Sequence, residues 1–383
     1  MSKRYYVTTP IYYVNDDPHI GHAYTTLACD VLARFKRLDG FEVKFLTGTD
    51  EHGQKVAKSA AAAGIDTQEF TDKVSRNFRD LADFMNYSHD DFIRTTEERH
   101  IRSSQAIWRR LVDNGEIYLD SYAGWYAVRD EAFYTGDELI TDADGNKVAP
   151  SGAEVEWVEE PSYFFRLSAW QDRLLEFYDA NPDFILPKTR RNEAVSFVSG
   201  GLKDLSVSRT TFKWGVPVPG DEDHIMYVWL DALTNYITGV GYPQTEKGEY
   251  VTYWPADLHM VGKDILRFHA VYWPAFLMGA GLAPPRRVFA HGWWTNEGRK
   301  ISKSLGNIID PIKLVEKYGL DVVLESVDYI LGYSERRVRA EIASWPDGEY
   351  KGQSILEHDF NGGIDINVDY IQMICMVDFS TRI

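Results

Sequence analysis

Two short polar segments of this 383-residue chain carry side chains suited to handling phosphate. Near the start, Asp17-Pro18-His19-Ile20-Gly21-His22 sets two imidazoles three residues apart. A proline that begins a helix leaves N-terminal N–H groups and a dipole that favour phosphate. His19 and His22 then share one helix face and can donate to phosphate oxygens. Gly21 lets a base or ribose approach the backbone closely. Near the end, Gly298-Arg299-Lys300-Ile301-Ser302-Lys303-Ser304-Leu305-Gly306-Asn307 sets three cations within five residues, with two serine hydroxyls and flanking glycines. That is the composition of a mobile polyphosphate clamp, and lysine is a flexible point charge suited to a loop that closes on a moving anion. Taken alone, each segment has a plainer reading: helix-start histidines without a role, or a solvated basic loop. Together they supply positioning and charge neutralisation, which is what attack of a carboxylate on a nucleotide α-phosphorus requires.

The elements around these segments place them at strand ends. Residues 5–14 form an aromatic and β-branched run that ends at Asn15-Asp16-Asp17-Pro18, a strand and then a turn. From His19 to Asp39, Ile20, Tyr24, Leu27, Val31, Leu32 and Phe35 recur at helical spacing, with Gly40 as the stop. Glu42 to Gly48 is a second strand, followed by Asp50-Glu51-His52-Gly53. Strand, helix and strand in this order form a βαβ unit with a parallel sheet, which binds ligands beyond the carboxyl ends of its strands. Residues 54–115 read as helical. Residues 116–225 turn acidic, turn-rich and aromatic, as in Tyr122–Val128 and Ser162-Tyr163-Phe164-Phe165, and read as an inserted domain. Strands are expected again at Ile225–Leu230, Asp257–Val261 and Arg287–His291.

Composition sets limits. Hydrophobic residues make up 44 % and charged residues 26 %, ordinary for a globular chain with a sizeable core. No stretch approaches the ~20 apolar residues of a membrane span, and the start lacks the apolar core of a signal peptide, so a cytoplasmic protein is expected. Cys29 and Cys375 cannot build a four-thiolate zinc site or a disulfide framework. The net charge of −17 weighs against tight non-specific nucleic-acid binding but leaves room for a local basic path.

Both phosphate-handling segments, in this order and separated by two halves of a parallel α/β sheet, resemble the HIGH and KMSKS signatures of the class I aminoacyl-tRNA synthetases. The second here is Lys-Ile-Ser-Lys-Ser. Thr9-Pro10-Ile11-Tyr12-Tyr13-Val14-Asn15, Gly48-Thr49-Asp50-Glu51-His52-Gly53, Tyr227-Val228-Trp229-Leu230-Asp231-Ala232 and Gly262-Lys263-Asp264-Ile265-Leu266-Arg267-Phe268-His269 are similar to segments of the methionine–tRNA ligase family. The resemblance runs from about residue 4 to about 322. It implies an α/β fold, a Rossmann-type parallel sheet split by an inserted α+β domain and followed by a short atypical tail. The implied boundaries are 1–115 and 226–295 for the catalytic halves, 116–225 for the insertion, 296–323 for the basic loop and its helix, and 324–383 for the tail.

Carried over by position, the resemblance implies catalytic roles for His19, His22, Lys300 and Lys303. Gly21, Lys263, Asp264, His291, Gly292, Ser302 and Ser304 would join them around ATP, with magnesium accompanying the nucleotide. Ile11 and Tyr13 would lie by the methionine side chain, and Asp50 would bind the ammonium. Trp229, Ala232, Tyr236, Phe268, His269 and Trp273 would line the thioether pocket, with His269 near the sulfur. A polarizable thioether suits an aromatic box, although singly Trp229 and Trp273 also read as core. The implied partners are L-methionine, ATP and tRNA(Met), the implied state a monomer without a membrane.

Leucine-, isoleucine- and valine-type relatives carry a larger insertion, and the cysteine type holds zinc on thiolates. The insertion here departs from the zinc-bearing methionine type: Tyr126–Glu131 and Thr141–Gly145 contain no cysteine. No structural zinc is therefore expected, and Trp125, Tyr134 and Trp157 are expected to hold the knuckle by packing. The tail departs further. Its helix at 324–337, turn at 345–350 and strands at 364–379 resemble a fragment of hydantoinase B/oxoprolinase-type subunits, not an anticodon-reading bundle. It holds eleven acidic residues against five basic, a poor match for anticodon phosphates. A join of two unrelated coding sequences accounts for this. The alternative function is then a truncated or chimeric fragment that forms adenylate or binds tRNA but charges it poorly.

Overall fold

The computed structural model describes residues 3–292 except 16, 131, 135 and 143, together with 295–296, 299–300 and 309–320. The expected helix, turn and strands of residues 324–379 lie outside the described residues, as do Ser302, Lys303 and Ser304.

A seven-stranded sheet with every pairing parallel organises the chain. In spatial order it runs Ile185–Leu186, Val288–His291, Leu258–Gly262, Arg4–Thr8, Glu42–Asp50 and Tyr12–Tyr13, with Asp91–Arg94 also paired to Glu42–Asp50. Both faces are covered, as a parallel sheet requires. Alternate strand residues feed two cores: Tyr6, Leu46, Val261 and Ala290 enter one, and Val7, Phe45, Met260 and Phe289 enter the other. The second lies beneath helix Ile20–Leu38, which buries Ala23, Leu27, Ala28 and Ala33 against it.

Strand Arg4–Thr8 is the switch point. It pairs with Glu42–Asp50 on one side and with Leu258–Gly262, reached much later in the chain, on the other. Crossovers that leave in opposite directions open a crevice beyond the strands' carboxyl ends. Pro10, Ile11, Tyr12, Tyr13, Asn15, His19, Gly21, His22, Asp50, Gly262 and His291 fall there.

Several expectations change. The helix begins at Ile20 with His19 as its N-cap, so Pro18 precedes the cap instead of starting the helix. Pro10 separates the opening run into two strands, Arg4–Thr8 and Tyr12–Tyr13. The span 54–115 contains a strand, Asp91–Arg94, between helices Thr67–Phe84 and Glu98–Asp113; four residues are too short for a periodicity signal. The strand expected at Ile225–Leu230 ends at Met226, and Val228–Thr238 is a helix. That run is apolar without clear period, and burial of nearly the whole helix explains why.

Residues 117–206 add an antiparallel sheet in which Ile117–Ala127 pairs with Glu156–Phe165 along its length. Ile185–Leu186, within the span read as the insertion, is nonetheless an edge strand of the central sheet. At the knuckle Trp125 meets Trp157 edge to face, with ring centroids 5.4 Å apart. Polar contacts join this packing. Asp130 accepts from the Tyr134 hydroxyl at 3.0 Å and from Ser151 Oγ, while Arg129 donates to Ser151. Among the described residues, no three His, Cys, Asp or Glu side chains gather as a metal site, and no helix is long and apolar enough to cross a membrane.

Gly48 sits where strand Glu42–Asp50 passes Asp91–Arg94. A Cβ there would lie 2.0 Å from the Ile93 carbonyl oxygen and 2.7 Å from its Cγ2. Backbone cannot yield as a flexible side chain does, so Gly48→Ala is expected to cost at least ~2–3 kcal/mol. Chemical denaturation of the variant checks this; an unchanged midpoint would contradict the close approach.

Candidate active site

The crevice is a cleft of about 560 Å³. Its walls gather Ile11, Tyr13, His19, Gly21, His22, Asp50, Trp229, Ala232, Tyr236, Asp264, His269, His291 and Gly292 from the expected set. Three expected residues stand back from it. Trp273 is fully buried behind Tyr236, ring centroids 6.1 Å apart, and belongs to the core. Phe268 lies against Trp229 face to face, at 3.6 Å and 5°, and so supports the wall from behind. Lys263 opens the short helical turn Lys263–Ile265 and is not part of the wall. Lys300 contributes its backbone to a short strand, Arg299–Lys300, paired with Thr295–Asn296.

At one end of the cleft the two histidines cap the helix reciprocally. The Gly21 N–H donates to His19 Nδ1 at 3.1 Å, and the His19 N–H donates to His22 Nδ1 at 3.1 Å. The rings stack with centroids 3.8 Å apart. With each Nδ1 lone pair accepting, each ring carries its proton on Nε2. Burial lowers the pKa of His19 and takes that of His22 well below the usual imidazole value, helped by the neighbouring His19. Both are therefore neutral donors near pH 7. A Cβ at Gly21 would stand 3.0 Å from His19 Cε1, a tight contact with the ring that folds back over it.

The opposite side is aromatic and apolar. Asp50 ends its strand nearly buried, beside Tyr13 in register. Tyr236 donates its hydroxyl proton to His269 Nε2 at 2.6 Å, because His269 Nδ1 is committed to the Ile265 carbonyl at 3.0 Å. Burial lowers His269 to about 4, so this ring too is neutral. It lies in a π-helical turn, Phe268–Tyr272, a local widening common at functional sites. His259 stacks on Tyr236 at 4.0 Å and bonds Thr8 Oγ1 through Nδ1 at 2.9 Å.

The sequence did not flag Thr25, Asn235, Lys55, Arg129 or Asp130, all of which line the cleft. Thr25 bonds His291 Nε2 at 2.9 Å and donates to the Gly21 carbonyl. Its signal was a polar residue on the buried face of an amphipathic helix. Arg129 and Asp130 reach the cleft from the knuckle, which no local pattern could indicate.

This site, at the switch point of a parallel sheet, is that of a known family. The chain belongs to the class I tRNA synthetases, whose methionine-type model, "tRNA synthetases class I (M)", matches residues 5–336. The chain is 66 % identical over 323 residues to the methionine–tRNA ligase of Rickettsia bellii, covering 84 % of this chain and 62 % of that protein. It is 57 % identical over 354 residues to that of Brucella suis, covering 92 % and 66 %. Mycobacterium tuberculosis methionyl-tRNA synthetase in complex with methionyl-adenylate superposes with a TM-score of 0.84 at 54 % identity, covering 89 % of this chain and 68 % of that one. The chain spans roughly three-fifths of the length of the curated relatives it matches. A second model, hydantoinase B/oxoprolinase, matches residues 311–381.

Five buried or partly buried imidazoles, His19, His22, His259, His269 and His291, have pKa values lowered by burial. The unfolded chain takes up these protons first, near pH ~6.5. Their contribution is thus complete above that pH and is lost as pH falls below it. His269 alone, at about 4, costs about 1.4 kcal/mol per pH unit between ~6.5 and 4. The denaturation midpoint is expected to stay level from pH 7.5 to ~6.5 and then to fall steadily to pH 5. A flat profile would show that these rings are not held neutral.

Proposed function

We propose that this chain activates L-methionine with ATP, giving methionyl-adenylate and pyrophosphate, and then passes the methionyl group to the 3′ end of tRNA(Met). The observation that carries this reading is one cleft with two unlike ends: a pair of imidazole N–H donors at a helix N-terminus, and a buried carboxylate beside an aromatic box. The relative whose fold superposes at 0.84 holds methionyl-adenylate, the product of the first step.

In that step a methionine carboxylate oxygen attacks the α-phosphorus. The bond to the bridging oxygen breaks, and its electron pair leaves with pyrophosphate, accompanied by magnesium. Asp50 takes the substrate ammonium as a charge-assisted partner. Ile11, Tyr13, Trp229, Ala232 and Tyr236 enclose the thioether, with His269 fixing the Tyr236 hydroxyl. The His19 and His22 Nε2–H groups donate where charge develops at the α-phosphate, in a setting already organised before the substrate arrives. Gly21, Asp264, His291 and Gly292 border the nucleotide. Lys300 and Lys303, with Ser302 and Ser304, hold the pyrophosphate side. In the second step a ribose hydroxyl of the tRNA end attacks the adenylate carbonyl, and AMP leaves.

The catalytic halves are assigned to 1–115 and 226–295, the insertion to 116–225 and the basic loop with its helix to 296–323. The reading is of a cytoplasmic monomer without structural zinc.

Methionine-dependent exchange of labelled pyrophosphate into ATP tests the first step. Exchange that responds to leucine and not to methionine would overturn the assignment. Lys303→Ala is expected to cut exchange by about 10²–10³-fold, on the scale of losing one donor at a developing charge, with methionine binding nearly intact. Equal loss of both would contradict its role on the pyrophosphate side. Charging of tRNA(Met), assayed on its own, tests the second step.

A further inference from the structure

His52, Asp231 and His100 form a buried polar cluster that neither proposed step uses. Asp231 and His100 have no exposed surface, and His52 is 5 % exposed. Asp231 Oδ2 accepts from His52 Nδ1 at 2.7 Å, and Oδ1 accepts from His100 Nε2 at 2.7 Å. Ser104 donates to Oδ1 at 3.4 Å. Burial works against the carboxylate's charge, but the two imidazoles outweigh it and hold Asp231 well below the usual carboxylate range.

The cluster joins three elements that meet the cleft differently. His52 follows two residues after Asp50, in the turn that leaves strand Glu42–Asp50. Asp231 stands on helix Val228–Thr238 between Trp229 and Ala232, which both line the cleft. His100 belongs to helix Glu98–Asp113 in the core. The turn is held from its other side by Trp214, whose indole N–H donates to the Glu51 carbonyl at 2.6 Å and whose own carbonyl accepts from the Gly53 N–H at 3.1 Å.

We infer that Asp231 is a positioning residue for methionine: through His52 it sets the distance between the Asp50 carboxylate and the wall formed by Trp229 and Ala232. The inference rests on the reading of Asp50 as the ammonium partner. The two arms then differ in kind. The His52 arm carries geometry to the ammonium subsite, while the His100 arm anchors Asp231 to the core. A substrate held at both ends senses that distance, and a nucleotide bound beside His19 does not. A purely structural cluster would affect both substrates alike.

The test measures methionine affinity by calorimetry, and KM and kcat for each substrate by pyrophosphate exchange, on the full chain. Asp231→Asn keeps the shape and removes the charge. It is expected to raise the methionine Kd and KM together by about tenfold, with the ATP KM unchanged. His52→Ala is expected to do the same, and His52→Asn, which keeps a donor where Nδ1 stood, to recover most of the loss. If Asp231→Asn does not fold, the two His52 variants decide the matter. Methionine KM values within twofold of wild type in the folded variants, or equal shifts for both substrates, would overturn the inference alone. A wild-type chain that does not bind methionine would overturn the functional reading and this inference with it.

Discussion

Two lone pairs govern the helix end of the cleft: Nδ1 of His19 and Nδ1 of His22, each spent on a backbone N–H. A helix N-terminus leaves several such donors without partners, and serine or aspartate is the usual remedy. An imidazole that caps through Nδ1 does something those residues cannot. It satisfies the backbone and still carries a proton on Nε2 for donation elsewhere. The helix dipole and the two ring donors are thereby gathered at one end of one helix. Glycine at position 21 eases the same arrangement, because a Cβ there would press on the His19 ring at 3.0 Å.

The cleft sets neutral imidazole donors beside a few carboxylates. Each imidazole named there has its pKa lowered by burial, so the rings stand as neutral dipoles fixed by their hydrogen bonds. The anions at the end of strand Glu42–Asp50 are divided with care. Asp50 faces the cleft. Glu51, fully buried, turns away and takes a bidentate pair from Arg94 at 2.7 and 2.9 Å, together with the Thr96 and Thr49 hydroxyls. Strand alternation makes this possible: successive side chains leave on opposite faces. A buried charge without such partners would destabilise the strand end that has to present Asp50.

Much of this was legible in the sequence, because His19, His22 and Asp50 fall beyond strand ends and the βαβ period is plain. The hidden parts have particular causes. Asp91–Arg94 is too short to show a period, and its neighbours are long helices. Val228–Thr238 is buried almost all round, so its apolar run carries no helical stripe. His19 as N-cap could not be read from its spacing to His22, since three residues apart suits either a shared face or a reciprocal cap. Trp273 and Trp229 are alike in sequence, yet one is core and the other wall. Only tertiary packing separates them. Thr25 and His291 meet across 266 positions, a contact no local pattern encodes.

That last contact also bears on the basic segment. His291, just before it, bonds Thr25 of helix Ile20–Leu38 at 2.9 Å. Ile309, just after it, accepts from the N–H of Ile20, the first residue of the same helix, at 3.0 Å. Helix Pro311–Tyr318 then begins under the cap of Asp310, and Ile312, Leu314 and Val315 pack into the core cluster that also receives Ile20, Tyr24 and Leu27. Both ends of the stretch that carries Lys300 and Lys303 are thus tied to the first turns of the helix that carries His19 and His22. Residues nearly three hundred positions apart in the chain are held to a common origin by two hydrogen bonds and one patch of apolar contact. Loop closure between nearby anchors costs little additional entropy as the loop lengthens. The two anchors register both flanks of that stretch to the first turns of the helix that carries His19 and His22.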